Sequence, residues 1–500
     1  MKFRSFIKRF RDITRSDAGI NGDAQRIEQL VWMLFLKIYD DKEQEWEAMG
    51  IGYETILPQD CRWRHWASEV QADPRAVRKG DALLDFINNR LFPTLRDLPV
   101  SAENPFGQQI IKDVFADIHN YMKDGVLLRQ CLQLIDECDF TDPEEAHAFG
   151  QIYEEILRQL QSAGSSGEFY TPRALTDFMA AHVRLRLGET VADMACGTGG
   201  FLNSARKWLE PQVRTVAQRR KLHGAFVGME KKPLPYLLAV TNLLLNGADD
   251  LRLTHGNSLA RNVSDYGPRD RFDVILMNPP YGGSEKAEIQ HNFPARLRSA
   301  ETADLFLVLI TRRLKPTGRA AVVIPDGFLF GTGNKAEIKK ELLENFNLHT
   351  IVRLPGSVFA PYTSIATNIL FFDGPDCTDE AGRRVGSTRQ TWFYRVDMPQ
   401  GYKHFSKTKP MTLAHLDGLD LWWNDRKPIS VDGVDKARAF TPEELAALDY
   451  NLDQCGQPKA EAEVLPPAEL IARYKARRKA CEERMDAALA RILAHIGGQA

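Results

Sequence analysis

The apolar positions of this chain change their period once. Over roughly the first 160 residues they recur at helical spacing, with Ile27, Leu30, Val31, Leu34 and Ile38 on one face. That helix is expected to end in the charged run Asp40-Asp41-Lys42-Glu43. Further helical patterns cover 81–97, 107–121, 126–136 and 143–162, and Pro74, Pro93 and Pro105 punctuate them. The expected product is a helical bundle that packs on the next domain or on a partner. Ser162-Ala163-Gly164-Ser165-Ser166-Gly167 then reads as a flexible joint.

Beyond the joint, short apolar runs alternate with helical stretches. Val191-Ala192, Ala225 to Met229, Leu251 to Leu253, Val274 to Met277, Ala320 to Ile324, Ile351-Val352, Thr367 to Phe372 and Trp392 to Val396 read as strands. Continuous apolar runs indicate strands covered on both faces, and alternation with helices predicts a doubly wound, mostly parallel sheet. Residues 401–467 are polar with few recognisable elements, and 458–467 looks like a linker. The end, 470–496, reads as one amphipathic helix with Tyr474, Cys481, Met485, Leu489, Ile492 and Ile496 in a stripe. It suits either its own domain or a partner helix.

The strand Val274 to Met277 runs straight into Asn278-Pro279-Pro280-Tyr281. Two prolines end a strand, because neither donates to a ladder and each fixes its own φ. Asn278 is therefore expected at the carboxyl end of a strand, on a stiff loop, where open α/β sheets bind ligands. An amide oxygen and a proline carbonyl can both accept from an exocyclic NH2 group. Tyr281 can stack on the base that carries the amine. The same residue types also make ordinary turns.

A second candidate is Asp193-Met194-Ala195-Cys196-Gly197-Thr198-Gly199-Gly200-Phe201, a strand end that turns through glycines into a helix. Glycines let a ligand approach the backbone, and the helix start favours a carboxylate or phosphate. Asp193 suits a cationic amine. Glu230 ends the following strand and could take two ribose hydroxyls. Before this turn, Glu168-Phe169-Tyr170-Thr171-Pro172 presents two aromatics that either line a cofactor pocket or form a hydrophobic clamp. Thr171 and Pro172 are expected to cap a helix and open its first turn.

Charge narrows the picture. With 65 basic and 67 acidic side chains, the formal net charge is −2. A chain that grips nucleic acid unaided usually carries a basic excess, so clustering or a partner must supply the grip. Arg214 to Lys221 is either a solvated loop or such a cluster. The seven scattered cysteines form no Cys-x-x-Cys pair, which speaks against a disulfide framework or a zinc site and fits a reducing cytoplasm. Met1 to Arg15 lacks the apolar centre of a signal peptide, and no run is long enough to span a membrane.

Together, Asp193 to Phe201 followed by Asn278-Pro279-Pro280-Tyr281 resembles the adenine-specific DNA methyltransferases. Glu168 to Pro172 ahead of the glycine turn is similar to the modification subunit of type I restriction–modification systems. Leu34-Phe35-Leu36-Lys37-Ile38-Tyr39-Asp40-Asp41 resembles that family's N-terminal domain. The resemblance covers about residues 1–400. It implies S-adenosylmethionine as cofactor and no metal. Glu168, Phe169, Tyr170 and Thr171 would flank its methionine end, and Asp193, Gly197, Thr198, Gly199, Gly200 and Phe201 would cradle it. Glu230 would hold the ribose. Asn257 stands where related enzymes place an aspartate near the cofactor adenine. Asn278, Pro279, Pro280 and Tyr281 would bind the target adenine.

The implied division is a helical domain 1–162, a methyltransferase domain 163–400, a polar extension and linker 401–467, and a terminal helix 468–500. The implied partners are double-stranded DNA, a DNA specificity subunit, a second modification subunit and a nuclease/translocase subunit, in the cytoplasm and with no membrane. Methylation of RNA adenine or of protein glutamine is an alternative function. A non-catalytic cofactor-binding scaffold of a DNA-binding complex is another.

Overall fold

The computed structural model describes residues 2–48, 55–69, 71, 77–100, 105–160, 170–248, 250–360, 363, 365–379, 382–406 and 408–456. Between 468 and 486 it describes 468–469, 471–472, 474–476, 478–479, 482–483 and 485–486. The expected joint 162–167, the linker 458–467, Glu168 and Phe169 lie outside the described residues. So do Cys481, Leu489, Ile492 and Ile496 of the expected terminal stripe. The described residues from 468 to 486 are helical, with Tyr474 and Met485 exposed. Among the described residues no helix is long and apolar enough to cross a membrane.

The first part is helical, as its period demands, with helices Lys2–Arg15, Asp23–Ala48, Pro105–Ala116, Gly125–Asp136 and Pro143–Leu160. One expectation fails here. The charged run 40–43 does not end its helix, which continues to Ala48, and Asp40, Asp41 and Glu43 are buried. Each acid serves backbone donors from other segments. Asp40 accepts from the Arg64 amide at 3.0 Å and Asp41 from the Phe140 amide at 3.3 Å, while Lys37 pairs with Asp41 at 2.6 Å. Glu43 Oε1 accepts from the amides of Ile56 and Leu57 at 2.6 and 3.3 Å. These acids stitch the irregular stretch after residue 55 onto the long helix.

The rest is built on one ten-stranded sheet. Its strands are β1 (Val191–Asp193), β2 (Phe226–Glu230), β3 (Arg252–His255), β4 (Phe272–Met277), β5 (Leu314–Pro325), β6 (Asn347–Arg353), β7 (Thr367–Asp373), β8 (Thr391–Arg395), β9 (Ile429–Val431) and β10 (Val434–Phe440). They lie in the order β3-β2-β1-β4-β5-β7-β6-β8-β10-β9. The first five are mutually parallel, and β7 runs antiparallel between β5 and β6. The polar stretch after residue 400 thus contributes β9 and β10 and helices Asp417–Asn424 and Pro442–Ala447. These elements are short and half-exposed, so they carry little hydrophobic pattern.

Helix Pro233–Leu245 explains why the two parts belong together. From Pro235 to Leu245 every residue is buried. A helix apolar all round needs cover on every side. The sheet side is covered through β2 and β3, and the other through helices Asp23–Ala48 and Pro143–Leu160. Tyr153 donates its hydroxyl to the Leu238 carbonyl across this junction at 3.2 Å.

Glu43→Ala would leave two buried amides without an acceptor, a loss of about 1–3 kcal/mol. Glu43→Gln keeps an acceptor oxygen and is expected to lose less. Thermal unfolding followed by circular dichroism should rank the midpoints wild type, Gln, Ala.

Candidate active site

Strands β3, β2, β1 and β4 are parallel neighbours, so their carboxyl ends meet at one edge of the sheet. Chain order reverses between β1 and β4, which makes this edge a switch point of the kind that binds ligands. A cavity of about 370 Å³ lies there. Asp193 enters it from β1, Glu230 from β2, Asn257 from the turn after β3, and Asn278, Pro280 and Tyr281 from the loop after β4. Gly197, Thr198, Gly200 and Phe201 complete one wall and Thr171 another. Gly199 and Pro279 do not line it. Tyr170 does not either, and its ring lies 4.8 Å from the Arg173 guanidinium.

The glycine turn is wrapped onto the neighbouring strand. The Cys196 amide donates to the Met229 carbonyl at 3.0 Å, and the Gly197 amide donates to Glu230 Oε2 at 3.0 Å. Gly199 caps helix Gly200–Leu209 with φ 74°, a left-handed conformation that a side chain would strain. A Cβ on Gly200 would fall 1.9 Å from Arg173 Nη1, so a larger residue there would push the guanidinium out of this position.

Two carboxylates face this space. Burial, and then the charge of Glu230, push Asp193 up to about 8 against one hydrogen bond from the Ala195 amide. Burial also raises Glu230, opposed by the amides of Lys232 and Gly197. Asn257 closes a local turn by accepting from the Leu259 amide at 3.0 Å and still lines the cavity. Tyr281 meets Phe359 edge-on, with ring centroids 6.2 Å apart.

Arg173 is among the lining residues that sequence reasoning missed, with Lys231, Lys232, Ser258 and Glu285. It lines the cavity, and its Nε donates to Glu154 at 2.7 Å. Its Nη1 and Nη2 are buried without hydrogen-bond partners. A buried guanidinium with two unused nitrogens is a receptor for a carboxylate. The available signal was its place directly after Thr171-Pro172. Asn278 shows a matching deficit. Its Nδ2 donates to Thr171 Oγ1 at 3.2 Å, while its Oδ1 is buried with no partner. The cavity therefore offers a cation to an anion, buried acids to an amine or hydroxyls, and an unused carbonyl to a donor.

The family model of the N-6 DNA methylases matches residues 144–463. The chain belongs to the N-6 DNA methylase family. Its reaction is the methylation of DNA at adenine N6. The methylase also matches the HsdM N-terminal domain over residues 3–135. It is 45% identical to the Type I restriction enzyme EcoEI methylase subunit of Escherichia coli over 480 residues, which covers 95% of this chain and 94% of that one. A solved structure described as the modification subunit of a type I restriction enzyme from Vibrio vulnificus YJ016 aligns with TM-score 0.77 and 42% identity. That alignment covers 89% of this methylase and 93% of that chain. A chain from a structure on complex assembly of a type I R-M system aligns with TM-score 0.77 and 34% identity, covering 98% and 97%.

The raised Asp193 has a consequence for stability. Its folded value of about 8 lies above the ordinary carboxylate range, so folding favours the protonated form. The stability this contributes is full below about pH 4 and is lost as pH rises through 8. Asp193→Asn removes the ionisation. In ligand-free protein its unfolding midpoint, measured by differential scanning calorimetry, should overtake the wild type as pH rises from 5 to 8.5.

Proposed function

We propose that this methylase is the modification subunit of a type I restriction–modification enzyme, moving the methyl group of S-adenosylmethionine to N6 of an adenine in double-stranded DNA. The observation that carries the reading is the buried, unpartnered Asn278 carbonyl in the wall of a cavity that also holds a complete set of groups for this cofactor. When bound, the cofactor supplies an electrophilic methyl group on a sulfonium centre. Arg173, with Nη1 and Nη2 free, would hold its carboxylate, and Asp193 would hold its ammonium group. Glu230 accepts from the ribose hydroxyls, each of its oxygens already held by one backbone amide. Asn257 lies at the adenine end. Gly197, Thr198, Gly200 and Phe201 would form the cradle and Thr171 would stand at the methionine end, while Gly199 and Tyr170 would support them from outside the lining.

Asn278 Oδ1 would accept from the N6 amine and turn its lone pair out of conjugation toward the methyl group, while Pro279, outside the lining, would act by stiffening the loop. The target base must leave the duplex, at a cost of a few kcal/mol. Stacking on Tyr281 returns ~1–3 kcal/mol. No strong base is needed, because the amine attacks first and sheds its proton afterwards. Positioning and hydrogen bonding therefore supply most of the acceleration. The near-zero net charge leaves sequence reading and much of the DNA grip to a specificity subunit. A second modification subunit and a nuclease/translocase subunit complete the assembly, in the cytoplasm. The division at 162, 400 and 467 assigns cover to the first part, chemistry to the second, and assembly to the terminal helix.

Asn278→Ala tests the reading. Methyl transfer should fall by about 10²–10³, as on loss of one charge-aligning hydrogen bond. Calorimetric affinity for S-adenosylhomocysteine should stay within twofold. Affinity that collapses with activity would assign Asn278 to the cofactor. In a separate measurement, the purified chain alone should methylate specific and scrambled duplexes at similar, low rates. Adding its specificity subunit should raise only the specific one.

A further inference from the structure

Thr171 does not do what its sequence position suggests. Helix Arg173–His182 is capped by Pro172, with no side-chain cap hydrogen bond. The Thr171 hydroxyl is thus not spent on the helix start. It accepts from Asn278 Nδ2 at 3.2 Å across a separation of 107 residues. We infer that Thr171 is a positioning residue that fixes which end of the Asn278 amide faces the target amine. The inference rests on the methyl-transfer reading of the site.

The two ends of an asparagine amide are nearly equal in size and opposite in polarity. Only the carbonyl end can accept from an exocyclic amine. With the amide turned over, two N–H groups would face each other and the amine would gain no hydrogen bond. The two prolines after Asn278 stiffen the backbone but leave the terminal side-chain torsion soft, because a bond between sp3 and sp2 carbons has broad, two-fold preferences. A neighbour must therefore choose the orientation. The Asn278 amide has one side-chain partner, Thr171 Oγ1, on its nitrogen, and its Oδ1 is buried with none. A hydroxyl can accept from Nδ2 or donate to an oxygen turned toward it, but Thr171 lines the cavity, and once a water or bound group there takes its proton only Nδ2 can face Oγ1. Its backbone is well suited to the task, since the following Pro172 holds it out of the helical region.

The test uses the modification subunit in complex with its specificity subunit and compares Thr171→Val, which keeps the shape, with Thr171→Ser, which keeps the hydroxyl. Loss of one orienting hydrogen bond should lower kcat about tenfold in the valine variant. KM for DNA should change less than twofold, and the calorimetric affinity for S-adenosylhomocysteine should fall much less than the rate, since Thr171 also borders the methionine end. The serine variant should recover most of the rate. In an Asn278→Ala background the valine substitution should cost nothing further, since the group it orients is gone. The inference is overturned if cofactor affinity drops with the rate, which would make Thr171 a cofactor ligand only. It is also overturned if the valine variant loses as much in the Asn278→Ala background as in the wild type. Cofactor binding with no methyl transfer by the unaltered complex would overturn the functional reading and this inference together.

Discussion

Two carboxylates at the ends of adjacent parallel strands set the terms for this active site. Asp193 and Glu230 are buried, one beside the other, at the edge where β1 and β2 stop. A buried acid is costly unless donors reach it. The only donors available at a strand end are backbone amides from the turns that follow. The chain meets this demand with the glycine turn, which brings the Gly197 amide onto Glu230, and with Ala195 and Lys232, whose amides serve Asp193 and Glu230. That supply is incomplete, since Asp193 still sits at about 8. On the proposed reading a bound amine would supply the missing donor, so the carboxylate that destabilises the empty protein would strengthen the loaded one.

The opposite deficit lies across the cavity. Arg173 carries its charge at the start of a helix, with Glu154 on one nitrogen and nothing on the other two. Glu154 belongs to helix Pro143–Leu160 of the N-terminal part, so that part reaches the cavity wall through a single ion pair. It also covers helix Pro233–Leu245, whose N-terminal end follows directly from Glu230 and its neighbours. Removing the N-terminal helices would thus expose the apolar helix behind the site and release the guanidinium within it. Cover and chemistry are one construction in this molecule.

Much of this was legible in the sequence, and the rest was hidden for physical reasons. The run Val274 to Met277 could only be a doubly covered strand, and prolines at 279 and 280 could only end it, so Asn278 was placed correctly. Asp193, Glu230 and the glycines were likewise fixed by strand ends. Thr171 was read as a helix cap because Ser, Thr and Asp serve that role locally, whereas its actual partner is 107 residues away. The charged run 40–43 was expected to end its helix because four consecutive charges interrupt the apolar pattern. The burial of its acids depends on amides at 56, 57, 64 and 140, which no local pattern reveals. Arg173 was passed over for the same reason: its partner Glu154 and its close neighbour Gly200 lie 19 and 27 residues away.

The choice of an amide at position 278 follows from its neighbours. A carboxylate would be the stronger hydrogen-bond acceptor toward an amine. Yet the cavity already contains two buried acids that desolvation pushes toward protonation, with the charge of Glu230 adding to the push on Asp193. A third carboxyl there would be raised by the same two effects. Once protonated it is a weaker acceptor and adds an O–H donor that can face the amine with the wrong polarity. An amide cannot titrate, so its carbonyl remains an acceptor at every working pH. Its weakness is the freedom to turn over, and a hydroxyl on a rigid neighbour is the simplest group that removes it. Neutral amide, proline-stiffened loop and Thr171 are therefore three parts of one answer to the charge already buried at the strand ends.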